Sequence, residues 1–374
     1  MSDETYTTGR THYPILEPWG WDERWAAAAA AYTNAGLVPA RILGQEHHYY
    51  EVLAPPEGTR MRTTVAGAYE YRAAVPADFP TAGDWVLLSR EGMRIEELLP
   101  RRTAMSRGSA GRETTEQVIV ANVDLLLLVF GLDGGRNFTV GMLERSLVAA
   151  WNSGARPVVV LNKTDRVTQD QLEEARMTAE AGAPGVPIHS VSAVTGTGLR
   201  KLLSEATPGE TIGMIGKSGV GKSALLNGFA RLEGDTGEPL AREGAQRAGD
   251  LQGRHTTTGK QLYRLPGGII VADVPGLREL QLWAEGEELT AAFPEIEALA
   301  GECRFSDCAH TGEPGCRVAE ALAIGELPEE RYARYLDYRK ELAYLERRRD
   351  QRAKEEEQRK WRNIAKEQRR MKKR

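Results

Sequence analysis

Eight residues constrain the fold of this chain more than any others: Gly216-Lys217-Ser218-Gly219-Val220-Gly221-Lys222-Ser223. They follow an apolar run, TIGMIG (211–216), and lead into SALLNGFA, which reads as a helix start. A G-x-x-x-x-G-K-[ST] pattern between strand and helix is a phosphate loop. Its glycines let the backbone curl so that N–H groups face phosphate oxygens, Lys222 brings charge to the β- and γ-phosphates, and the Ser223 hydroxyl is a magnesium ligand. The nucleotide-binding run therefore extends from Gly216 through Ala224. Around it, DLLLLVF (124–130), PVVVLN (157–162), VPIHSVS (186–192) and GIIVADV (268–274) read as buried strands, with helical stretches such as MLERSLVAAWNSG and DQLEEARMTAEAG between them. Continuously apolar strands alternating with helices imply a doubly wound parallel sheet.

A phosphate loop does not choose a base. Asn162-Lys163-Thr164-Asp165, at the end of PVVVLN, does. The Asp165 carboxylate can accept from the N1–H and exocyclic amine of guanine, a donor pair that adenine lacks, so the wrong base leaves a buried carboxylate unpaired. Lys163 can lie along the base and Asn162 can tie the loop together. Ser192-Ala193 follows the next strand, where a backbone N–H can meet the guanine O6. Asp273-Val274-Pro275-Gly276 ends another strand; Asp273 can hold magnesium through water and the Gly276 N–H can bond the γ-phosphate. Between lies Gly253-Arg254-His255-Thr256-Thr257-Thr258, from which Thr257 is the expected magnesium ligand, with Thr256 and Thr258 as alternatives. Loss of the γ-phosphate would release both segments.

These motifs run N-K-T-D, S-A, phosphate loop, threonines, D-V-P-G, whereas ordinary GTPases begin with the phosphate loop. Joining old termini and opening new ones elsewhere preserves the folded site. The reading is thus a GTP hydrolase with a circularly permuted α/β domain over 112–283. Leu277 stands where many GTPases carry a water-orienting glutamine, so slow intrinsic hydrolysis is expected. His255 is the candidate for positioning water.

The flanks add four features. Residues 1–35 hold Trp19, Trp21 and Trp25 before an alanine run, a short helix with aromatic anchors. Over 36–104, ARILG, YYEVLAP, RMRTTVAGAYEYR and GDWVLL are short β-rich pieces, evenly spaced as in a small barrel or sandwich. All three cysteines fall in 284–330, as Cys303-x4-Cys308-x-His310-x5-Cys316; three thiolates and an imidazole close a tetrahedral, structural zinc site. The net charge of −4 hides an asymmetry, because 331–374 carries 18 Lys/Arg against 8 Asp/Glu, leaving −14 for the first 330 residues. That segment reads as a long basic helix, with Arg347-Arg348-Arg349, Arg359-Lys360 and Lys372-Lys373-Arg374 as its strongest patches for RNA phosphate. Arg60, Arg62 and Arg72 beside Tyr69 and Tyr71 could add backbone contact and base stacking from the barrel. No apolar run is long enough to span a bilayer and no secretory signal opens the chain, so the expectation is a cytoplasmic monomer without membrane contact.

Together, the β-rich segment, G-K-S-G-V-G-K-S, R-H-T-T-T, the C-x4-C-x-H-x5-C knuckle and the basic end resemble the ribosome small-subunit-dependent GTPase A (RsgA) family from about residue 36 onward. QVIVANVDLLLLVF and YLERRRDQRAKEEEQRKW are similar to that family too, while D-V-P-G replaces the commoner D-T-P-G and the Trp-bearing lead is longer. The resemblance implies an OB-fold barrel, structural zinc, magnesium with GTP, binding to the small (30S) ribosomal subunit and its rRNA, and a late role in maturing that subunit, with subunit-stimulated hydrolysis accompanying release. The alternatives are a GTPase of another ribosomal particle and an RNA-binding protein whose nucleotide site is only a binding switch.

Overall fold

The computed structural model describes residues 12–56, 58–90, 93–108, 116–133, 138–234, 240, 260–274, 292–310, 312–340 and 343. The chain divides into two units, Met1–Gln281 and Leu282–Arg374.

In the first unit, the lead forms a short 3-10 turn, Glu17–Trp19, and α1, Glu23–Asn34. The Asp22 side chain caps α1 by accepting from the N–H groups of Arg24 and Trp25. Five strands follow: β1 (Val38–Glu46), β2 (Tyr49–Ala54), β3 (Thr59–Thr63), β4 (Trp85–Leu88) and β5 (Ile95–Leu98), with α2 (Gly67–Arg72) after β3. β1 pairs antiparallel with β2 and β4, β2 with β3, and β4 with β5. A parallel bridge from Val65 to Ile95 completes the ring. Its interior holds Ile42, Val52, Val86, Leu88 and Ile95, while Leu43, Leu53, Trp85 and Leu87 point the other way, toward the lead tryptophans.

The α/β part comprises β6 (Ala104–Gly108), β7 (Glu116–Ala121), β8 (Leu125–Gly131), α3 (Val140–Ser153), β9 (Arg156–Asn162), α4 (Gln169–Gly182), β10 (Ile188–Val191), α5 (Leu199–Leu203), β11 (Thr211–Ile215), α6 (Lys222–Leu232), β12 (Lys260–Arg264) and β13 (Ile270–Asp273). β6 and β7 form a separate hairpin. The order β10-β9-β8-β11-β13 is parallel, and β12 runs antiparallel beside β13. Side chains of β8 alternate between two cores: Leu126, Leu128 and Phe130 meet Leu143 and Leu147 of α3, whereas Leu125, Leu127 and Val129 meet Leu202 of α5 and Phe229 of α6. Helices therefore cover both faces, which is why the strands read as unbroken apolar runs.

Two differences from the sequence reading have local causes. AYEYR is the helix α2, not strand; with only six residues it is too short to display a helical period. β12 pairs antiparallel with β1 through Gly44↔Gln261 and Gln45↔Lys260, so the five-stranded ring and the α/β sheet form one 11-stranded sheet among the described residues. Arg41 strengthens this join. Its guanidinium is buried, lies 5.1 Å from the Trp85 ring centroid, and donates to the Thr211 hydroxyl at 2.7 Å and to the Trp19 carbonyl. Burial lowers its pKa to about 10. Trp21 packs edge-on against Trp85 at 4.9 Å, so the lead is built into the core.

The second unit holds α7 (Pro294–Gly301), α8 (Arg317–Ala323) and a helical segment over 329–340. Arg331, Tyr335 and Tyr338 fall at i, i+4 and i+7 on that segment and all pack on Phe293. Arg331 also donates to Glu295 Oε1 at 2.5 Å and to the Ala292 carbonyl at 3.0 Å. The helical segment 329–340 is thus part of a small core.

Candidate nucleotide and metal sites

Every described nucleotide motif lies at the carboxyl edge of the parallel sheet. The chain winds outward from β8 to β9 and β10, then returns to the other side of β8 with β11. The crevice between β8 and β11 is where strand order reverses, the position at which such sheets bind ligands. The phosphate loop leaves β11 into this crevice. Gly216 has φ +148°, and a Cβ there would stand 2.3 Å from the Val129 carbonyl oxygen; Gly221 has φ +101°, and its Cβ would stand 2.3 Å from Asn162 Nδ2. Both positions require glycine for conformation and space. Lys222 Nζ donates to the carbonyls of Gly216 at 2.6 Å and Lys217 at 2.9 Å, which holds the ammonium across the loop.

Asn162 joins the three motifs. It is 1% exposed. Its Nδ2 donates to the Val220 carbonyl at 2.8 Å, and its Oδ1 accepts from the Ala193 N–H at 3.1 Å. Ser192 Oγ donates to Asp165 Oδ1 at 2.5 Å, fixing the carboxylate expected to read guanine. Ser192 N–H is bonded to the Thr197 carbonyl, so both N–H groups that the sequence offered to the guanine O6 already have partners. Thr164 begins a short 3-10 turn (Thr164–Arg166) after Lys163, which holds a left-handed φ of 69°.

The Lys163 ammonium pairs with Asp133, a residue the sequence reading passed over. Its signal was slight: one acidic residue just past a buried strand. Asp273 ends β13 as expected. Burial raises its pKa and the nearby Lys222 charge draws it back in part, an environment suited to a carboxylate beside cations. His255, Thr256, Thr257, Thr258, Gly276 and Leu277 lie outside the described residues, as do the basic patches beyond 343.

In the second unit, one ligand atom each from Cys303, Cys308, His310 and Cys316 lie within 4.8 Å of one another. His310 Nδ1 is 3.5 Å from both Cys303 Sγ and Cys316 Sγ. Zinc–sulfur and zinc–nitrogen bonds of ordinary length in a tetrahedron require an S···N edge of about 3.6 Å, so the donor set fits. Cys316 also caps α8, its sulfur accepting from Ala319 N–H.

The barrel tyrosines divide. Tyr69 is buried and its hydroxyl donates to the Asp78 carbonyl, whereas Tyr71 is 91% exposed. Arg60, Arg62 and Arg72 are paired with Glu51, Glu46 and Glu97 and lie over Trp19, Tyr49 and Tyr69. Among the described residues, no helix is long and apolar enough to cross a membrane.

Residues 98–283 match the family described as RsgA GTPase. The chain is 40% identical to the "Small ribosomal subunit biogenesis GTPase RsgA" of Opitutus terrae, covering 93% of this chain and 95% of that protein. It is 38% identical to the protein of the same name from Streptomyces avermitilis, covering 92% and 90%. Among solved structures, YjeQ from Thermotoga maritima aligns with TM-score 0.59 at 29% identity over 82% of this chain and 99% of that one. YloQ, described as a circularly permuted GTPase, aligns with TM-score 0.57 at 22% identity over 82% and 95%, a likeness of fold.

Proposed function

This chain belongs to the RsgA GTPase family and is a GTP hydrolase; from that premise we propose that its GTPase cycle serves late maturation of the small ribosomal subunit. It would bind rRNA of the particle in the cytoplasm, and subunit-stimulated hydrolysis would accompany its release. The observation that carries the reading is Asn162, whose buried amide ties the guanine loop, the S-A loop and the phosphate loop into one site. The name shared by relatives that cover nearly the whole chain supports the subunit as the partner.

In this reading the amides of Gly216–Ala224 and the Lys222 ammonium hold the β- and γ-phosphates. Asp165, oriented by Ser192, accepts from the guanine N1–H and amine, while Lys163 and Thr164 flank the base and Ala193 closes its O6 side. Magnesium, when bound, neutralises phosphate charge; Ser223 and Thr257 would ligate it, with Asp273 reaching it through water. Gly276 would sense the γ-phosphate and His255 position the water. Zinc, held by Cys303, Cys308, His310 and Cys316, would be structural.

We assign residues 1–35 as a lead, 36–104 as an OB-fold barrel, 112–283 as the permuted GTPase domain, 284–330 as the zinc segment and 331–374 as a basic helix. The ring closed between Val65 and Ile95, with α2 between β3 and β4, supports the barrel assignment.

The test is GTP hydrolysis by the purified chain, alone and with small subunits, large subunits or free RNA. Stimulation by small subunits only is expected. Stimulation by large subunits or free RNA instead would move the role to another particle.

A further inference from the structure

Asp133 lies two residues past the end of β8, and none of the nucleotide motifs includes it. The backbone brings it there in three steps. Gly131 is in register with Asn162 across the β8–β9 pair. The Leu132 N–H then donates to the Asn162 carbonyl at 2.9 Å, extending the ladder past the strand end. Gly131 itself has no room to spare: a Cβ there would lie 3.3 Å from Val220 Cα and 3.6 Å from Lys163 Cδ and Cε. The end of β8 is therefore packed between the phosphate loop and the Lys163 stem, and the Asp133 carboxylate meets the Lys163 ammonium beyond it.

The pair is sheltered: the two side chains are 18% and 19% exposed. Lys163 also occupies a left-handed backbone conformation, in which a non-glycine residue needs support from its surroundings. A four-carbon stem with a free ammonium would sample many rotamers, or swing toward phosphate charge. An acidic partner at its tip removes that freedom.

We propose that Asp133 is a positioning residue for guanine-nucleotide binding, acting through Lys163: it fixes the ammonium so that the stem is laid out along the base before nucleotide arrives. This deepens the GTPase-site reading given above and rests on it. Because the base is common to GDP and GTP, the effect falls equally on both and leaves the hydrolytic step alone. Such uniform binding changes KM and not kcat.

The experiment measures GDP and GTP affinity and steady-state hydrolysis for the full-length protein and for Asp133→Ala, Asp133→Asn, Lys163→Ala and the Asp133→Ala/Lys163→Ala pair. Thermal unfolding of each is recorded alongside. Asp133→Ala should weaken both nucleotides about tenfold, roughly 1.4 kcal/mol. Asp133→Asn, which keeps a hydrogen-bond acceptor but not the charge, should fall between it and the unaltered protein. The kcat should stay within about twofold of its original value. In the double variant the loss should equal that of Lys163→Ala alone, since Asp133 would have nothing left to position. Additive losses in the double variant would overturn the proposal, as would unaltered affinity in a folded Asp133→Ala. A fall in kcat with affinity intact would overturn it too. Absence of GDP binding by the unaltered protein would instead reject the nucleotide-site reading, a separate outcome.

Discussion

Asn162 makes two buried hydrogen bonds, donating to the Val220 carbonyl and accepting from the Ala193 N–H. Truncation to alanine leaves a buried carbonyl and a buried N–H unpaired, each costing about 1–3 kcal/mol. We expect Asn162→Ala to weaken GDP binding by at least tenfold in a nucleotide titration, and to lower the unfolding temperature as well. Residues of this kind were legible in the sequence because their chemistry repeats at fixed spacing: N-K-T-D, S-A and G-x-x-x-x-G-K-S each demand particular atoms at particular offsets. Asp133 was not legible. An acidic residue after a strand is ordinary turn composition, and its partner is 30 positions away in sequence. The bonded N–H of Ala193 was hidden in the same way, since sequence does not say which amide is already engaged.

α1 owes its start to Asp22, which accepts from Arg24 and Trp25 and also receives a two-pronged contact from Arg102 at 2.5 and 2.7 Å. Burial alone would raise the Asp22 pKa, but Arg102 and the two N–H groups outweigh it and the net direction is down. The sign follows. A depressed folded pKa gives stability that is present above the unfolded value of 3.8 and lost as pH falls through the folded value. Because the group is nearly half exposed, solvent screens part of the pairing. Asp22→Ala should cost about 1 kcal/mol at pH 7, seen in urea unfolding, and the difference from the unaltered protein should shrink below pH 3.8. At the knuckle, the proposed zinc would serve as a structural cross-link for a segment whose described helices, α7 and α8, have only eight and seven residues. Chelation, or Cys308→Ser, should release the metal and speed tryptic cleavage after Arg304 and Arg317 at least tenfold on a gel time course. Strands of the α/β core were readable as elements because burial on both faces leaves continuous apolar runs. α2 and the packed stripe of Arg331, Tyr335 and Tyr338 were not, because charged and aromatic residues there serve packing that only the partner Phe293 or the ring reveals.

At the scale of the molecule, the described part of the first unit is organised around a shared sheet rather than two adjacent ones, with β12 held by β13 on one side and β1 on the other. The sequence indicated both strand sets but not their union, since pairing between Gly44 and Gln261 involves no local pattern. Removal of residues 1–98 would strip β12 of a partner and uncover the core face now packed by Trp21, Trp25, Leu43 and Trp85. Exposed edges and apolar faces of that sort promote self-association. The shortened protein should elute as aggregate in size-exclusion chromatography, whereas a monomeric, GDP-binding fragment would show that the join is dispensable.

That join also sets a timetable. Gln261 leaves the ribosome 217 residues after Gly44, the partner it must find. At synthesis rates of 5–20 residues per second, the edge of β1 waits roughly ten to forty seconds for its neighbour. Throughout that interval the nascent ring presents an open strand edge, while the tryptophans of the lead can already cover the apolar face beside it, where Leu43 and Trp85 lie.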